Sequence, residues 1–282
     1  MAKPFIKWVG GKRQLIPILL DHFPKQEIDT YIEPFLGGGA LLLSLKPEMF
    51  AGQYKYILTG DINSELIEAY NTIKYDSEQL IKKLLLDYTI NDEQKFYTIR
   101  DMDRSESFKD LHYIDRVARF LYLNKTCFNG LYRVNKKGQF NTPFGDYKNP
   151  CICDEMNLRE CSKFFNDMKV SFQCSSFEDF YDVIPDEKTF AYLDPPYHPI
   201  TKTSNFTQYS KEGFNQDSQE SLKKYCDFIN SSGGKFLLSN SDCDFIKDLY
   251  KDYDIVKVYA KRSINSKGDS RHKITEVLVK NY

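Results

Sequence analysis

The pattern of apolar and polar positions changes along the chain from strand-like to helix-like and back again. Between residues 30 and 61 it predicts a strand at 30–33, a glycine turn at 34–39 and a second strand at 56–60. The apolar residues 40–45 predict the start of a helix between those strands. Strands that alternate with helices are typical of a parallel α/β sheet.

A helical pattern occupies the middle of the chain. From residue 64 to 168, apolar residues recur at three- and four-residue spacing. Residues 126–150 interrupt this pattern with Asn-Gly, Lys-Gly and Thr-Pro-Phe-Gly turn signals, which predict a projecting hairpin loop. Strand-like stretches return afterwards at 170–174, 189–193, 235–239, 255–259 and 274–279. We expect the last two of these strands to pair antiparallel.

These patterns predict a doubly wound, Rossmann-like α/β sheet that is interrupted by a helical domain. The sheet domain comprises residues 1–63 and 169–282, and the helical domain comprises residues 64–168 with its hairpin loop at 126–150. A chain of 282 residues is long enough for two domains of this size.

Composition narrows the class of protein only slightly. Hydrophobic residues make up 41% and charged residues 28% of the chain, as in soluble globular proteins. The net charge of −1 excludes a uniformly basic nucleic-acid-binding protein, so any positive surface has to be local. Residues 125–148 carry five basic residues against one acidic residue, and residues 257–273 carry six against one. Each run fits a nucleic-acid-binding surface or an ordinary solvated basic face.

Cysteine spacing and the length of the apolar runs indicate where the protein works. No two of the seven cysteines have C-x-x-C spacing, and Cys151 and Cys153 are too close for a zinc knuckle. We therefore predict no metal site, and free thiols in a reducing compartment. No apolar run reaches the roughly 18 residues of a membrane span, and the first residues lack the apolar run of a signal peptide. These features predict a cytoplasmic protein that does not enter a membrane.

A glycine turn and a following carboxylate indicate an adenosine-containing ligand. Gly37 and Gly39 follow a strand, and glycine lets the backbone approach a ligand closely. Asp61 ends the next strand, 22 residues after Gly39, where nucleotide-binding sheets carry a carboxylate for ribose hydroxyls. These features fit NAD and S-adenosylmethionine equally well. Residues 7–12 are not a P-loop. A P-loop needs a glycine five residues before its Gly-Lys pair and a Ser or Thr after it, whereas this chain has Ile6 and Arg13 at those positions.

The residues Asp194-Pro195-Pro196-Tyr197 follow an apolar strand and predict methyl transfer to an exocyclic amine. The N6 lone pair of adenine is delocalised into the ring, and acceptors for both N–H groups would expose it. Asp194 offers a carboxylate, and Pro195, which has no N–H, offers its carbonyl. Pro196 stiffens the turn, and Tyr197 can stack on the base. Because N6 is paired inside a duplex, we expect the adenine to be flipped out.

These motifs, in this order, resemble those of the Dam-type (DpnM-like) DNA adenine-N6 methyltransferases of the alpha group, which modify GATC. The resemblance covers essentially the whole chain and rests on six segments: 7–12, 33–40, 61–63, 128–135, 142–145 and 194–197. It implies a Rossmann-like methyltransferase fold, S-adenosylmethionine as methyl donor, and double-stranded DNA that is read by the helical domain.

The resemblance also implies roles for individual residues. The catalytic residues would be Asp194, Pro195, Pro196 and Tyr197. Contacts to S-adenosylmethionine would come from the glycine motif and its surroundings: Trp8, Lys12, Phe35, Gly37, Gly39, Asp61, Phe177 and Asp194. Other members carry an acidic residue just before the aromatic at position 177, and Ser176 stands there in this chain.

For DNA, the resemblance implies that Arg133 reads a guanine through the bidentate pairing that arginine commonly makes. Phe128 and Asn129 would enter the duplex beside the flipped base. Lys7 would help to read the first base, and the other contacts to the bases would come from Leu131, Asn135 and Pro143. We add Arg271 as a contact to a phosphate, on charge alone. We expect a monomer that acts either beside a cognate restriction endonuclease, without stable contact, or as a solitary methylase.

Three alternatives remain at the level of sequence. The same chemistry suits a cytosine-N4 methyltransferase, although aspartate at the head of the tetrapeptide favours adenine. An NAD-dependent oxidoreductase would use a similar sheet. A DNA-binding module that has lost catalysis would keep the basic runs, but the intact residues 194–197 argue against it.

Overall fold

The computed structural model describes residues 2–50, 55–199, 214–260 and 274–282. The described residues contain seven strands: β1 (Thr30–Glu33), β2 (Tyr56–Asp61), β3 (Val170–Cys174), β4 (Thr189–Leu193), β5 (Lys235–Ser241), β6 (Asp254–Ala260) and β7 (Ile274–Lys280). Their α-helices are α1 (Ile16–Asp21), α2 (Ser64–Asp87), α3 (Glu93–Arg100), α4 (Tyr113–Thr126), α5 (Glu155–Asp167), α6 (Gln216–Ser231) and α7 (Asp244–Leu249). None of the described helices combines the length and the apolar composition that a bilayer crossing requires.

The chain divides into two compact units. The first comprises Met1–Gly11, Gly37–Leu43 and Asp61–Cys174, and the second comprises Lys12–Leu36, Ser44–Gly60 and Ser175–Tyr282. The domain boundaries inferred from the sequence, after residues 63 and 168, stay a prediction.

The second unit contains a mixed sheet with the strand order β2-β1-β4-β5-β7-β6. β1 pairs in parallel with β2 and β4, and β4 pairs in parallel with β5. β7 runs antiparallel to β5 and β6, as predicted for the last two strands. The carboxyl ends of β1, β4 and β5 therefore meet at one edge, where α/β enzymes place their ligands.

Burial explains the sequence pattern of this sheet. All five residues of the central strand β4 are buried, which accounts for its continuous apolar run. Buried positions recur at helical spacing along α6 and pack on β5 in one core cluster: Leu222, Cys226, Ile229, Phe236 and Leu238. The stripe of buried α6 positions also includes Gln219, the one polar residue on it.

The first unit is mainly helical and includes β3. Its longest helix, α2, begins after the N-cap residue Asn63, whose side chain accepts the Leu66 N–H at 3.0 Å. Helix α2 packs against α4 and α5. It is kinked at Asp76, where the backbone leaves the helical region (φ −134°, ψ 33°).

The segment between α4 and α5 forms the predicted hairpin loop. Isolated antiparallel bridges join Val134 to Phe140 and Cys127 to Phe144. Gly138 lies at the tip with φ +78°, a conformation that favours glycine. We call residues 126–150 the recognition loop, after the role that the sequence analysis predicts for this segment.

One local prediction was wrong. Residues 40–45 form only the short 3-10 turn Leu42–Ser44 and no α-helix. Pro47 follows closely, and Lys46 before it is extended (φ −122°, ψ 147°), because a residue that precedes proline avoids the helical region. The strands predicted at 30–33, 170–174 and 189–193 are confirmed to the residue.

Candidate active site

The segment Asp194-Pro195-Pro196-Tyr197 begins where β4 ends, at the carboxyl edge of the sheet. The neighbouring strands β1 and β5 end on Glu33 and Ser241 at the same edge. Three strand ends therefore contribute polar side chains at the edge where sheets of this class place their ligands.

The Asp194 carboxylate has a cationic partner in Lys12. The Lys12 Nζ lies 2.7 Å from Asp194 Oδ1, and the two side chains are 9% and 18% exposed. At this distance the ammonium both pairs with the carboxylate and donates a hydrogen bond to it. Burial raises the pKa of Asp194, the Lys12 charge lowers it, and the Glu276 charge raises it further. Lys12 thus favours the ionised carboxylate, which accepts hydrogen bonds.

Tyr197 is held at its ring face and at its hydroxyl. The Lys12 Nζ lies 4.5 Å from the Tyr197 ring centroid, within the range of a cation–π contact. The Tyr197 hydroxyl donates to Glu276 Oε2 at 2.7 Å. Burial, and then the charges of Asp194 and Glu276, raise the pKa of Tyr197 well above its usual value. The phenol is therefore protonated at neutral pH and can donate its hydrogen bond to Glu276.

Side chains from α6 and β5 hold the backbone of this turn. Gln219 Nε2 donates to the Pro196 carbonyl at 3.0 Å, and Gln219 Oε1 accepts from Asn240 Nδ2 at 3.0 Å. Asn240 Oδ1 accepts the His198 N–H at 3.1 Å, and Ser241 Oγ donates to the His198 carbonyl at 2.8 Å. The sequence analysis missed these residues. The available signal was a polar residue on the apolar stripe of α6.

Glu33 is a second carboxyl at this edge that the sequence analysis gave no role. It is 2% exposed and accepts a hydrogen bond from the Tyr31 hydroxyl at 2.8 Å. Burial raises the pKa of Glu33 to about 8, against the effect of the Tyr31 hydrogen bond and with a contribution from the Asp194 charge. The Glu33 carboxyl is therefore mostly protonated at neutral pH.

Two predicted cofactor residues, Phe35 and Phe177, stack on each other in the second unit. Their ring centroids are 5.6 Å apart with an interplanar angle of 29°. Phe177 is 4% exposed, and Phe35 is half-buried. Ser176 is the N-cap of the 3-10 turn Phe177–Asp182, where its Oγ accepts the Glu178 N–H. Ser176 therefore has a local structural role as the cap of this turn.

In the first unit, the glycine turn is bonded to Asp61. The Gly37 and Asn63 N–H groups donate to Asp61 Oδ2 and Oδ1 at 3.0 and 2.9 Å. Burial raises the pKa of Asp61, and these two hydrogen bonds lower it. Gly37 and Gly39 have φ of +49° and +62°. A Cβ on Gly39 would also lie 2.5 Å from the Tyr70 hydroxyl, so the turn requires glycine there.

Trp8 lies against the same turn. A Cβ on Gly37 would lie 3.0 Å from the indole Cδ1. The indole stacks on Tyr132 with centroids 5.5 Å apart, and the Tyr132 hydroxyl donates to Glu65 Oε2 at 2.7 Å. The structure thus brings together the predicted cofactor residues of the first unit: Trp8, Gly37, Gly39 and Asp61.

The recognition loop presents an apolar ring on an ordered backbone. Phe128 is 53% exposed, and Asn129 adopts a left-handed conformation with φ +56°. The Asn129 N–H donates to the Tyr147 hydroxyl at 3.0 Å, and the Lys7 Nζ lies 4.3 Å from the Tyr147 ring centroid. The three predicted DNA contacts Lys7, Phe128 and Asn129 therefore lie close together around Tyr147.

Asn124 joins the segment that carries Lys7 to this loop. Its Oδ1 accepts the Lys7 N–H at 2.9 Å, and its Nδ2 donates to the carbonyls of Lys7 and Gly130 at 2.7 and 3.3 Å. Asn124 is 3% exposed, so these bonds replace water. A Cβ on Gly130 would lie 2.5 Å from the Lys7 side chain, which explains the glycine.

Arg133 is exposed, and its guanidinium is held by Asn141. Nε donates to Asn141 Oδ1 at 2.7 Å, and Nη2 donates to the Asn141 carbonyl at 3.1 Å. Asn135 closes the tip of the hairpin, since its Oδ1 accepts the Lys137 and Gln139 N–H groups at 2.8 and 3.1 Å.

Two of the remaining predicted DNA contacts lie within the loop, and one lies outside the described residues. The Leu131 carbonyl accepts from Thr142 Oγ1 at 2.6 Å, and the Pro143 carbonyl accepts the Phe128 N–H at 2.9 Å. Both therefore belong to the framework of the recognition loop. Arg271 lies outside the described residues.

The sheet of the second unit carries an ion-paired carboxylate where its central strand ends, and the first unit carries a glycine turn bonded to a strand-end aspartate. This combination is typical of Rossmann-like enzymes that act with an adenosine-containing ligand. Among the described residues, no group of three or more His, Cys, Asp or Glu side chains is arranged to hold a metal ion. The chain belongs to the D12 class of N6 adenine-specific DNA methyltransferases, whose family model matches residues 8–264.

Similar proteins span nearly the whole chain. The type II methyltransferase M.MjaIII of Methanocaldococcus jannaschii is 45% identical and aligns with 100% of this chain and 99% of its own length. The type II methyltransferase M1.LlaDCHI of Lactococcus lactis subsp. cremoris is 39% identical over 99% and 95% of the two chains. A DNA adenine methylase of Salmonella typhi is 33% identical over 98% and 94%. The prediction of an adenine-specific DNA methyltransferase is confirmed, against a cytosine-N4 methyltransferase or an oxidoreductase.

Proposed function

We propose that this enzyme transfers the methyl group of S-adenosylmethionine to N6 of an adenine that is flipped out of duplex DNA, within 5'-GATC-3'. The observation that carries the chemistry is the hydrogen-bonding state of residues 194–197. The Pro196 carbonyl accepts from Gln219, whereas no described residue donates a hydrogen bond to the Pro195 carbonyl, and the Asp194 carboxylate is paired through Oδ1 with Lys12. Asp194 and Pro195 thus offer an anionic and a neutral acceptor at adjacent positions.

Two adjacent acceptors suit the amine of adenine. Asp194 accepts one N6–H and the Pro195 carbonyl accepts the other, which draws the nitrogen lone pair out of conjugation with the ring. Tyr197 stacks on the base, and two prolines keep the acceptors in place, so little reorganisation accompanies the reaction. The nitrogen loses one proton after transfer, and Asp194 is the base that can take it.

Each unit offers groups that suit the methyl donor. Asp61, which is bonded to the glycine turn and has Trp8 close to that turn, suits the hydroxyls of the ribose. Phe177, stacked with Phe35, offers an aromatic face for adenine. Lys12 suits the carboxylate of the methionine moiety, and Asp194 suits its amino group. S-adenosylmethionine supplies a methyl group that its sulfonium already activates, so no covalent enzyme intermediate is required.

Target recognition is assigned to residues 64–168, and chiefly to the recognition loop. Phe128 is an exposed ring on a constrained turn, which suits insertion into the base stack. The two bonds to Asn141 hold the plane of the Arg133 guanidinium, and its five N–H donors leave enough capacity for a guanine. The sequence GATC itself rests on the family resemblance.

The test is transfer of tritium from methyl-labelled S-adenosylmethionine to two duplexes of equal composition, one with GATC and one with the site scrambled. We expect label only in the GATC duplex. Asp194→Ala should lose at least about 100-fold in turnover while it binds the duplex as the wild type does. Equal label in both duplexes would refute the target sequence alone, and an active Asp194→Ala variant would refute the chemistry.

Base flipping has a separate readout. A duplex with 2-aminopurine at the target position should gain fluorescence when the enzyme binds, because flipping removes the base from its stack. Phe128→Ala should reduce this gain, and a wild-type complex without any gain would refute flipping. We also propose that the enzyme works in the cytoplasm as a monomer, which sedimentation of the protein with the duplex would check through a complex of one chain per site.

A further inference from the structure

Two successive prolines pose a structural problem for the turn 194–197. Proline has no N–H, so neither Pro195 nor Pro196 can donate a backbone hydrogen bond that ties the turn to the sheet. At these two positions the backbone offers only carbonyl acceptors, so donors from elsewhere in the fold have to fix them. The structure supplies those bonds from buried side chains of α6 and β5.

The bonds form one continuous, directional network. Gln219 donates to Pro196, Asn240 donates to Gln219, and the Asn240 oxygen accepts the His198 N–H and, at 2.8 Å, the Ser241 N–H. Gln219 and Asn240 are 0% exposed, and Ser241 is 4% exposed. Two backbone N–H donors determine which end of the Asn240 amide is the oxygen. Asn240 Nδ2 in turn determines that Gln219 presents its NH2 group to Pro196.

We propose that Gln219, oriented by Asn240, is a positioning residue for methyl transfer. By occupying the Pro196 carbonyl it holds the turn in one orientation, in which the Pro195 carbonyl and the Asp194 carboxylate face the amine of the substrate. This inference rests on the proposed role of Asp194 and Pro195. It adds that the geometry of the turn depends on a hydrogen-bond donor that comes from a different element.

The polarity of the network leads to a specific test with two variants of Gln219. Gln219→Met keeps the length of the side chain and removes both hydrogen bonds. Gln219→Glu keeps the shape, and in its protonated form it also keeps one donor and one acceptor, so it can replace the amide. In its ionised form it presents an acceptor to the Pro196 carbonyl, and the bond is lost.

We expect Gln219→Met to lower kcat by about 10- to 100-fold, since a misplacement on the order of 1 Å has that effect on a positioned reaction. The dissociation constant for the GATC duplex should stay within about two-fold, because contacts to the DNA backbone supply most of the affinity and the buried Gln219 side chain cannot make them. For Gln219→Glu, the ratio of its kcat to that of the wild type should rise as the pH falls from about 8.5 to about 5.5, because acid restores the donor. A residue that served only folding would not show this rescue by acid.

Two further variants separate positioning from stability. Gln216→Glu introduces the same charge on the same helix, at an exposed position, and its kcat ratio should not depend on pH. Ser241→Ala removes the hydroxyl bond to His198, together with a 3.5 Å contact to Cys243 Sγ, and should lower kcat by several-fold, in the same direction as Gln219→Met. Thermal unfolding of each variant, measured alongside, identifies any loss of folded protein.

The outcomes are decisive in both directions. If Gln219→Met retains kcat within about two-fold, or if the kcat ratio of Gln219→Glu does not change with pH, Gln219 does not position the turn. If Asp194→Ala loses turnover while the Gln219 variants do not, the proposed chemistry stands and this inference fails. If Asp194→Ala retains turnover, the proposed chemistry itself fails.

Discussion

Replacing Glu33 by Gln should stabilise the folded enzyme by an amount that grows with pH. Glu33 is 2% exposed, and burial raises the pKa of its carboxyl from 4.5 to about 8. The unfolded chain releases this proton above pH 4.5, whereas the folded chain retains it up to about pH 8. The folded state therefore holds this proton in the interval where the unfolded chain has lost it, so the contribution of Glu33 to stability is fully present below pH 4.5 and is lost as the pH rises to about 8.

The difference between the two pKa values of Glu33 sets the size of the effect on the free energy of unfolding. Each pKa unit is worth about 1.4 kcal/mol, so the ionisation of Glu33 costs the wild type about 5 kcal/mol at the upper end. Glutamine resembles the protonated carboxyl and can still accept the Tyr31 hydrogen bond, so Glu33→Gln avoids this cost. For a chain of this size the difference corresponds to on the order of 10 °C in melting temperature.

The assay is thermal or urea unfolding of the wild type and Glu33→Gln at several pH values. The difference in unfolding free energy should rise by about 1.4 kcal/mol per pH unit and level off near pH 8. Glu48→Gln, at an exposed position, is the matched control and should show no such trend. A Glu33→Gln difference that does not change with pH would show that Glu33 ionises in the folded enzyme as it does in the unfolded chain.

Three further predictions concern the predicted site residues. Lys12→Met removes the charge that lowers the pKa of Asp194, so the acid limb of the kcat–pH profile should move to higher pH; an unmoved limb would mean that this ion pair does not set the ionisation of Asp194. Arg133→Ala should cost about 1–3 kcal/mol of discrimination at one guanine, measured with duplexes substituted at each position, whereas an equal loss on every sequence would indicate a phosphate contact. Gly39→Ala places a Cβ 2.5 Å from the Tyr70 hydroxyl at φ +62°, and we expect a loss of about 1–3 kcal/mol of stability together with a higher KM for the methyl donor. Stability of Gly39→Ala equal to the wild type would contradict the strain argument.

Local chemistry explains why so much of this protein could be predicted from its sequence. The strands at 30–33, 170–174 and 189–193 are short apolar runs between turn residues, and their bounds were predicted to the residue. The failed helix at 40–45 has an equally local cause, since Pro47 ends the run after one 3-10 turn.

The sequence also determined the type of enzyme, because the residues that define its chemistry lie in short contiguous motifs. Asp194 to Tyr197 and Gly37 to Gly39 can be recognised without knowledge of their surroundings, since proline restricts the backbone and glycine permits conformations that other residues avoid. The family model that matches residues 8–264 agrees with the predicted type of enzyme.

Only the tertiary structure determined which groups bond to these motifs and which of their side chains are ionised. The partners of Pro196 and Gln219 lie 23 and 21 residues away along the chain, and the partner of Tyr197 lies 79 residues away. Neither the pairing of Lys12 with Asp194 nor the protonation of Glu33 can be derived from residue type, because desolvation and charge depend on what is packed nearby. Residues 194–197 thus identify the reaction, whereas the folded chain sets the orientation and charge of their side chains.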